Sequence, residues 1–255
     1  MREKKLKHAP LVEAIMELRW GLRSSKEGID PHYKVLVGRL YDRLAKGYPE
    51  HEPLPTASMP DEIVKQMVQH RFRRARQAWP LVQIGPGILT VNETREYDWE
   101  DFRTRAVEAV DKLFESHPEP ADLRIESVIL RYIDALEFDY TREDVLAFLK
   151  KEMKLSASLL KSLFSGTTIT SVPRSFMWYS SFPCTRPAGE LTLRFATGQR
   201  DGENALVWET IVQSKEQLPD MPGGFEDWIT AAHQVTHDWF FKMIKGDLER
   251  RFRDE

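Results

Sequence analysis

One cysteine, Cys184, occurs in 255 residues, so these residues form no disulfide among themselves and no cysteine-rich zinc site. No stretch approaches the roughly 20 consecutive apolar residues of a membrane-spanning helix. The opening MREKKLKHAPLVEA carries charge with no apolar core behind it, which is not the pattern of a secretory leader. A cytoplasmic protein without membrane contact is expected. An excess of one charge is missing too: the formal net charge is -3, so the chain as a whole does not attract nucleic acid or anionic lipid, and any such contact needs a local patch. There is no glycine-rich phosphate loop, since GPG at Gly85 to Gly87 reads as a turn and PGG at Pro222 to Gly224 lacks a following Lys-Ser or Lys-Thr. No Gly-x-Ser-x-Gly elbow occurs.

What is present is the composition of a folded protein, 41% hydrophobic and 30% charged. The length suits one large domain or two of about 100 to 150 residues. From Val12 to Trp20 every even position is apolar while Glu13, Glu17 and Arg19 share the other parity, the period of a half-buried strand. After a turn around Gly28 to Pro31, the spacing of Tyr33, Leu36, Val37, Leu40, Tyr41 and Leu44 predicts a helix capped by Asp30, with Pro31 first and an end near Gly47. The proline-rich YPEHEPLPTASMP reads as loop with one short edge strand. HRFRRARQAW and PLVQIGPGILTVN read as a strand meander, and Trp99 to Phe114 as a second amphipathic helix.

The same order then begins again. LRIESVILRYIDALEF is a long strand, Thr141 to Met153 a helix, and LSASLLKSLF a further short helix. SFMWYSSF, GELTLRFAT and NALVWETIVQ are three strands, and one long helix with an apolar face from Phe225 to Phe252 closes the chain. EAIMELRW and ESVILRY both run from Glu to Leu-Arg-aromatic and each opens a half, which a duplicated unit explains. A third Leu-Arg-aromatic, Leu193 to Phe195, needs only the β preference of its residues. The expectation is an α+β fold of two related strand-helix-antiparallel strands-helix units, residues 1–118 and 119–255, either separate or sharing one core. The helices would pack on one face of two sheets or of one curved sheet, an order that resembles the TATA-binding-protein-like topology.

Candidate chemistry is sparse. His233 and His237 stand four apart on the last helix, a spacing that lets two imidazoles share a metal, but position 234 is Gln where a zincin has Glu. Helix-surface or structural histidines are the expectation, with no metal and no cofactor. Glu13, Glu17 and Glu126 are expected to pair with Arg19 and Arg131 across the sheet as structural ions, each aromatic anchoring the core while its arginine balances an acid. The basic segment with Arg71 and Arg73 on one strand parity, Arg74 and Arg76 on the other, and Phe72 and Trp79 interleaved suits phosphates and stacked bases. A charged edge strand guarded against aggregation explains it equally. The terminal ERRFRDE reads as the solvated end of a helix, and no histidine is evident beside Cys184.

APLVEAIMELRW, YDWEDF at Tyr97 to Phe102, LRYID at Leu130 to Asp134 and HQVTHDWFFKMI together span nearly the whole chain. On these segments it resembles a sporadically distributed bacterial family of uncharacterised proteins of about 250 residues. That family supplies no catalytic residues, and its patchy occurrence implies a mobile-element or defence context. The leading expectation is a non-enzymatic binding or accessory protein that recognises a protein or nucleic-acid partner through its sheet and the Arg71 to Arg76 segment. A homo-oligomer is compatible with it. The alternatives are a metal-dependent hydrolase using Glu13, Glu17, His233 or His237, and a small-molecule sensor with a pocket between sheet and helices.

Overall fold

A computed structural model describes residues 6–22, 30–60, 63–94 and 96–253. The first half contains β1 (Leu11–Leu22), α1 (Tyr33–Leu44), β2 (Glu50–Pro53), β3 (His70–Arg73), β4 (Leu81–Gly85), β5 (Ile88–Glu93) and α2 (Trp99–Ser116). The second contains β6 (Leu123–Glu137), α3 (Val145–Glu152), β7 (Met177–Thr185), β8 (Ala188–Arg200), β9 (Glu203–Ser214), α4 (Phe225–Ile244) and α5 (Asp247–Arg253). The architecture is α+β. The strands form one antiparallel sheet in the order β2-β3-β4-β5-β1-β6-β9-β8-β7, so the two opening strands lie side by side at its centre and the halves are joined by backbone hydrogen bonds.

The parity read from the sequence is the parity of the sheet. Ala14, Met16, Leu18 and Trp20 are buried beneath the helices. Full burial of such side chains contributes about 1.5–3 kcal/mol each for the larger ones. Glu13, Ile15, Glu17 and Arg19 occupy the opposite face. Two apolar clusters fill the helical side. The first joins β1, α1 and α2 to Leu130 of β6, Val212 of β9 and the opening of α4, so both halves contribute to it. The second gathers Leu136, Phe195, Trp208, α3, the end of α4 and α5. Trp239 packs against both and marks their seam.

Four expectations about helices are corrected. The helix α1 begins at Tyr33, because Asp30 is buried and its carboxylate serves a turn and a core network instead of the helix: it accepts from the His32 amide (2.8 Å) and Trp20 Nε1 (3.4 Å), and hydrogen-bonds His117 Nε2 (3.1 Å). Gly28, part of the expected turn, lies outside the described residues. The helix α3 starts only at Val145, capped by Asp144, because Asp139 ties the Thr141 amide and hydroxyl into a preceding turn. LSASLLKSLF holds a single 3-10 turn, Lys161–Leu163, and its leucines 159, 160 and 163 are exposed, so no apolar face exists to dock a longer helix. The last helix is broken into α4 and α5 at Gly246, whose φ of 129° lies outside helical geometry and is accessible to glycine without a side-chain penalty.

Candidate functional site

At the seam, on the helical side of the sheet, polar side chains interrupt the core. They surround a cavity of about 200 Å³, larger than the roughly 150 Å³ that accommodates benzene in an apolar interior. The floor is the sheet: Tyr132 and Asp134 come from the inner parity of β6, and Thr210, directly opposite Tyr132, from β9. One wall is the entry to α2, with Tyr97, Asp98 and Trp99, and the other is α4, with His233, Thr236, His237, Phe240 and Phe241. The segment Leu6 to Leu11 closes a third side, and exposed Ala9 stands at the rim.

Asp134 is the anomaly. It is 3% exposed, and among the described residues its carboxyl has no hydrogen bond and no ion pair. Burial alone pushes its pKa up to about 8, so the carboxyl is mostly neutral at pH 7. Trp208, its neighbour across the β6–β9 ladder, is fully buried, and its Nε1 has no partner either. The Thr210 hydroxyl is a third buried polar group without a partner, on a residue that lines the cavity. A buried polar group left unsatisfied costs on the order of 1–3 kcal/mol.

The rest of the wall is ordered. His233 lies flat on Trp99, ring centroids 3.7 Å apart and planes inclined by 7°. Its Nδ1 is 2.8 Å from the Tyr132 hydroxyl, which is in turn 2.8 Å from the Tyr97 hydroxyl. Burial, followed by the neighbouring His237, pushes the His233 pKa down to about 3, so the imidazole is neutral. A neutral imidazole donates at one nitrogen and accepts at the other, so the Tyr132 hydroxyl can pair with Nδ1 in either tautomer. The Asp98 carboxylate caps α2 by accepting from the amides of Glu100 and Asp101.

The residues singled out in the sequence are dispersed. Glu13 and Glu17 face away from α4, across the thickness of the sheet from His233 and His237, so these four cannot share one site. Among the described residues no three His, Cys, Asp or Glu are grouped to hold a metal ion. Arg19 pairs with Glu17 on its own strand at 2.5 Å, and Arg131 with Glu209 of β9 at 3.7 Å. Arg131 faces Ile15 on β1 and Ile211 on β9, and its acid is Glu209 in place of the expected Glu13, Glu17 or Glu126. Glu13 accepts from Asn92 (2.8 Å), and Glu126 from Gln66 (2.7 Å) and Arg124 (3.1 Å). Arg194, of the third Leu-Arg-aromatic, also reaches Glu209 at 3.4 Å.

The basic segment is corrected as well. Only Arg71 and Arg73 belong to β3; Arg74 and Arg76 lie exposed in the turn beyond it, and Trp79 is half-buried. Glu52 of the edge strand holds Arg73 at 2.6 Å and stands 3.8 Å from Arg71, whose Nε donates to Gln83. One carboxylate therefore serves both arginines of the strand.

The cavity had a signal in the sequence. Asp134 sits on the parity of Val128, Leu130 and Tyr132, so a carboxylate faces the core of a central strand, a position almost never occupied by an unpaired acid. No protein-family model matches the chain, and no curated protein matches it.

Proposed function

We propose that this is a non-enzymatic binding protein that takes a small organic molecule into the seam cavity. The observation that carries this reading is the pair of buried groups at the cavity, the Asp134 carboxyl and the Thr210 hydroxyl, that have no partner in the fold. An apolar-walled cavity with a few convergent polar groups is the usual form of a small-molecule site. The reading is preferred to recognition through the Arg71 to Arg76 segment, because Glu52 and Gln83 already engage Arg71 and Arg73. The test is a set of small fragments screened by thermal denaturation, with Ala9→Trp at the cavity rim as control. Fragments that raise the melting temperature of the parent chain, and raise it less in Ala9→Trp, support the reading. A screen in which no fragment shifts the parent chain overturns it.

We also propose that the halves descend from one duplicated unit with TATA-binding-protein-like topology. In support, Met16 faces Leu130 while Leu18 faces Val128, the register of a local two-fold between β1 and β6. The helices α2 and α4 open with WEDFRTRA and FEDWITAA, in which Phe102 and Trp228, and Ala106 and Ala232, are buried alike. In both, the threonine hydroxyl donates to the carbonyl four residues back, Thr104 to Glu100 and Thr230 to Glu226, each at 2.7 Å. Under this correspondence His233 stands where α2 has Val107, so the imidazole of the cavity wall has no counterpart in the first unit. The uncharacterised bacterial family with the APLVEAIMELRW and LRYID segments is our proposed affiliation.

A further inference from the structure

We infer that the ligand of the seam cavity is an organic amine, bound as its ammonium ion, with a compact apolar or aromatic body. This rests on the cavity being a ligand site, and it follows from the inventory of the wall. Among the described residues no lysine or arginine lines the cavity. His233 is held neutral by its burial and by His237, and the amides at the start of α2 are occupied by Asp98. An anion would meet the Asp98 carboxylate and neither a lysine nor an arginine.

A cation meets the opposite. Tyr97, Trp99, Tyr132, Phe240 and Phe241 line the cavity with aromatic rings, the groups that attract ammonium ions, and the Asp134 carboxyl supplies the counter-charge. Asp134 and Thr210 lie on adjacent strands one diagonal step apart on the same face, so one ammonium group with several N–H donors can serve both. The titratable groups that share the cavity with Asp134 are Tyr132 on its own strand, Tyr97 and Asp98 from the entry to α2, and His233 and His237 from α4. Asp98 is committed to its cap and His233 is neutral.

The binding step balances as a proton exchange. The neutral Asp134 carboxylic acid releases its proton to solvent, the ammonium ion enters, and a carboxylate–ammonium hydrogen bond forms. A neutral alcohol of the same shape forms no such pair. Because the carboxyl must ionise, affinity for an amine falls about tenfold for each pH unit below about 8 and levels off above it until the ammonium ion itself loses its proton.

The probes are 2-phenylethylamine, 2-phenylethanol and phenylacetate, measured by titration calorimetry against the full chain and its Asp134→Asn variant. At pH 8 the amine is expected to bind at least about tenfold more tightly than the alcohol. At pH 7 its binding should release close to one proton, read from the dependence of the heat on buffer ionisation, and Asp134→Asn should erase the preference for the amine. Near-UV circular dichroism checks that the variant is folded. Equal affinity for amine and alcohol, tighter binding of phenylacetate, or a preference that survives Asp134→Asn overturns the amine assignment while leaving the cavity as a ligand site. Binding by none of the three also overturns it, and the cavity reading is then judged separately by the fragment set against Ala9→Trp.

Discussion

Trp99 and His233 join the two halves of the chain: the indole at the first residue of α2 covers the imidazole in the middle of α4 at a centroid distance of 3.7 Å. The contact removes one face of the imidazole from water, and desolvation is the main reason that His233 stays neutral.

Replacing Trp99 by Ala should therefore raise the His233 pKa from about 3 toward the ordinary value near 6.5, because water returns to the ring and the charged form is no longer penalised. A histidine-resolved NMR titration measures it directly. A resonance that stays untitrated down to pH 4 in a folded variant would show that the indole is not what keeps the ring dry.

Asp134 makes the stability of the fold depend on pH in an unusual direction. Its folded pKa is raised to about 8, above the unfolded value, so between about pH 4 and pH 8 the folded chain keeps a proton that the unfolded chain has lost. The associated stability is complete below the unfolded pKa and declines as pH rises toward 8, by about 1.4 kcal/mol per unit at most. Asp134→Asn removes this dependence. Denaturant titrations at pH 5 and pH 8 should show the variant gaining on the parent chain at the higher pH, by an amount on the order of several kcal/mol. An equal difference at both pH values would contradict the raised pKa.

The reach of the sequence can be judged from particular residues. The alternation in β1 was legible because a strand at the centre of a one-sided sheet must place Ala14, Met16, Leu18 and Trp20 together, and no competing constraint acts there. The start of α1 was not legible, because Asp30 looks like a cap locally yet bonds Trp20 and His117, residues distant in sequence. Glu52 is likewise 21 residues from Arg73, so the ion pairing of β3 appears only once β2 is paired with it. The cavity was half legible. Parity alone places Asp134 inside, but its isolation depends on α2, α4 and the Leu6 to Leu11 segment meeting around it.

The Asp30–His117 pair predicts a contrasting acid response. Burial would raise the Asp30 pKa, but the hydrogen bonds from His117, the His32 amide and Trp20 outweigh it and hold the carboxyl below its ordinary value. Its contribution is therefore present above the unfolded pKa near 4 and is lost as pH falls through the lower folded value. His117→Ala, which strands a buried carboxylate, should cost about 3 kcal/mol at pH 7. The deficit should shrink at acid pH as Asp30 takes up a proton. Urea titrations at pH 7 and pH 3.5 check both parts, and a deficit that is independent of pH would mean that lost packing, not charge, causes it.

Thr210 separates a ligand group from a structural one. Its hydroxyl is buried without a partner, so Thr210→Val, which keeps the branched shape, removes an unsatisfied group and should stabilise the empty protein by about 1 kcal/mol. For a chain of this size that is a rise of about 2–4 °C in melting temperature. The same change removes an acceptor from the cavity floor and should weaken binding of 2-phenylethylamine by about tenfold, the amount expected for a single hydrogen bond. A hydroxyl kept for the fold would produce the reverse pattern, with lower stability and unchanged affinity. Stability and affinity moving in opposite directions in this one variant would mean that the chain retains an unfavourable group at Thr210 because a ligand completes it.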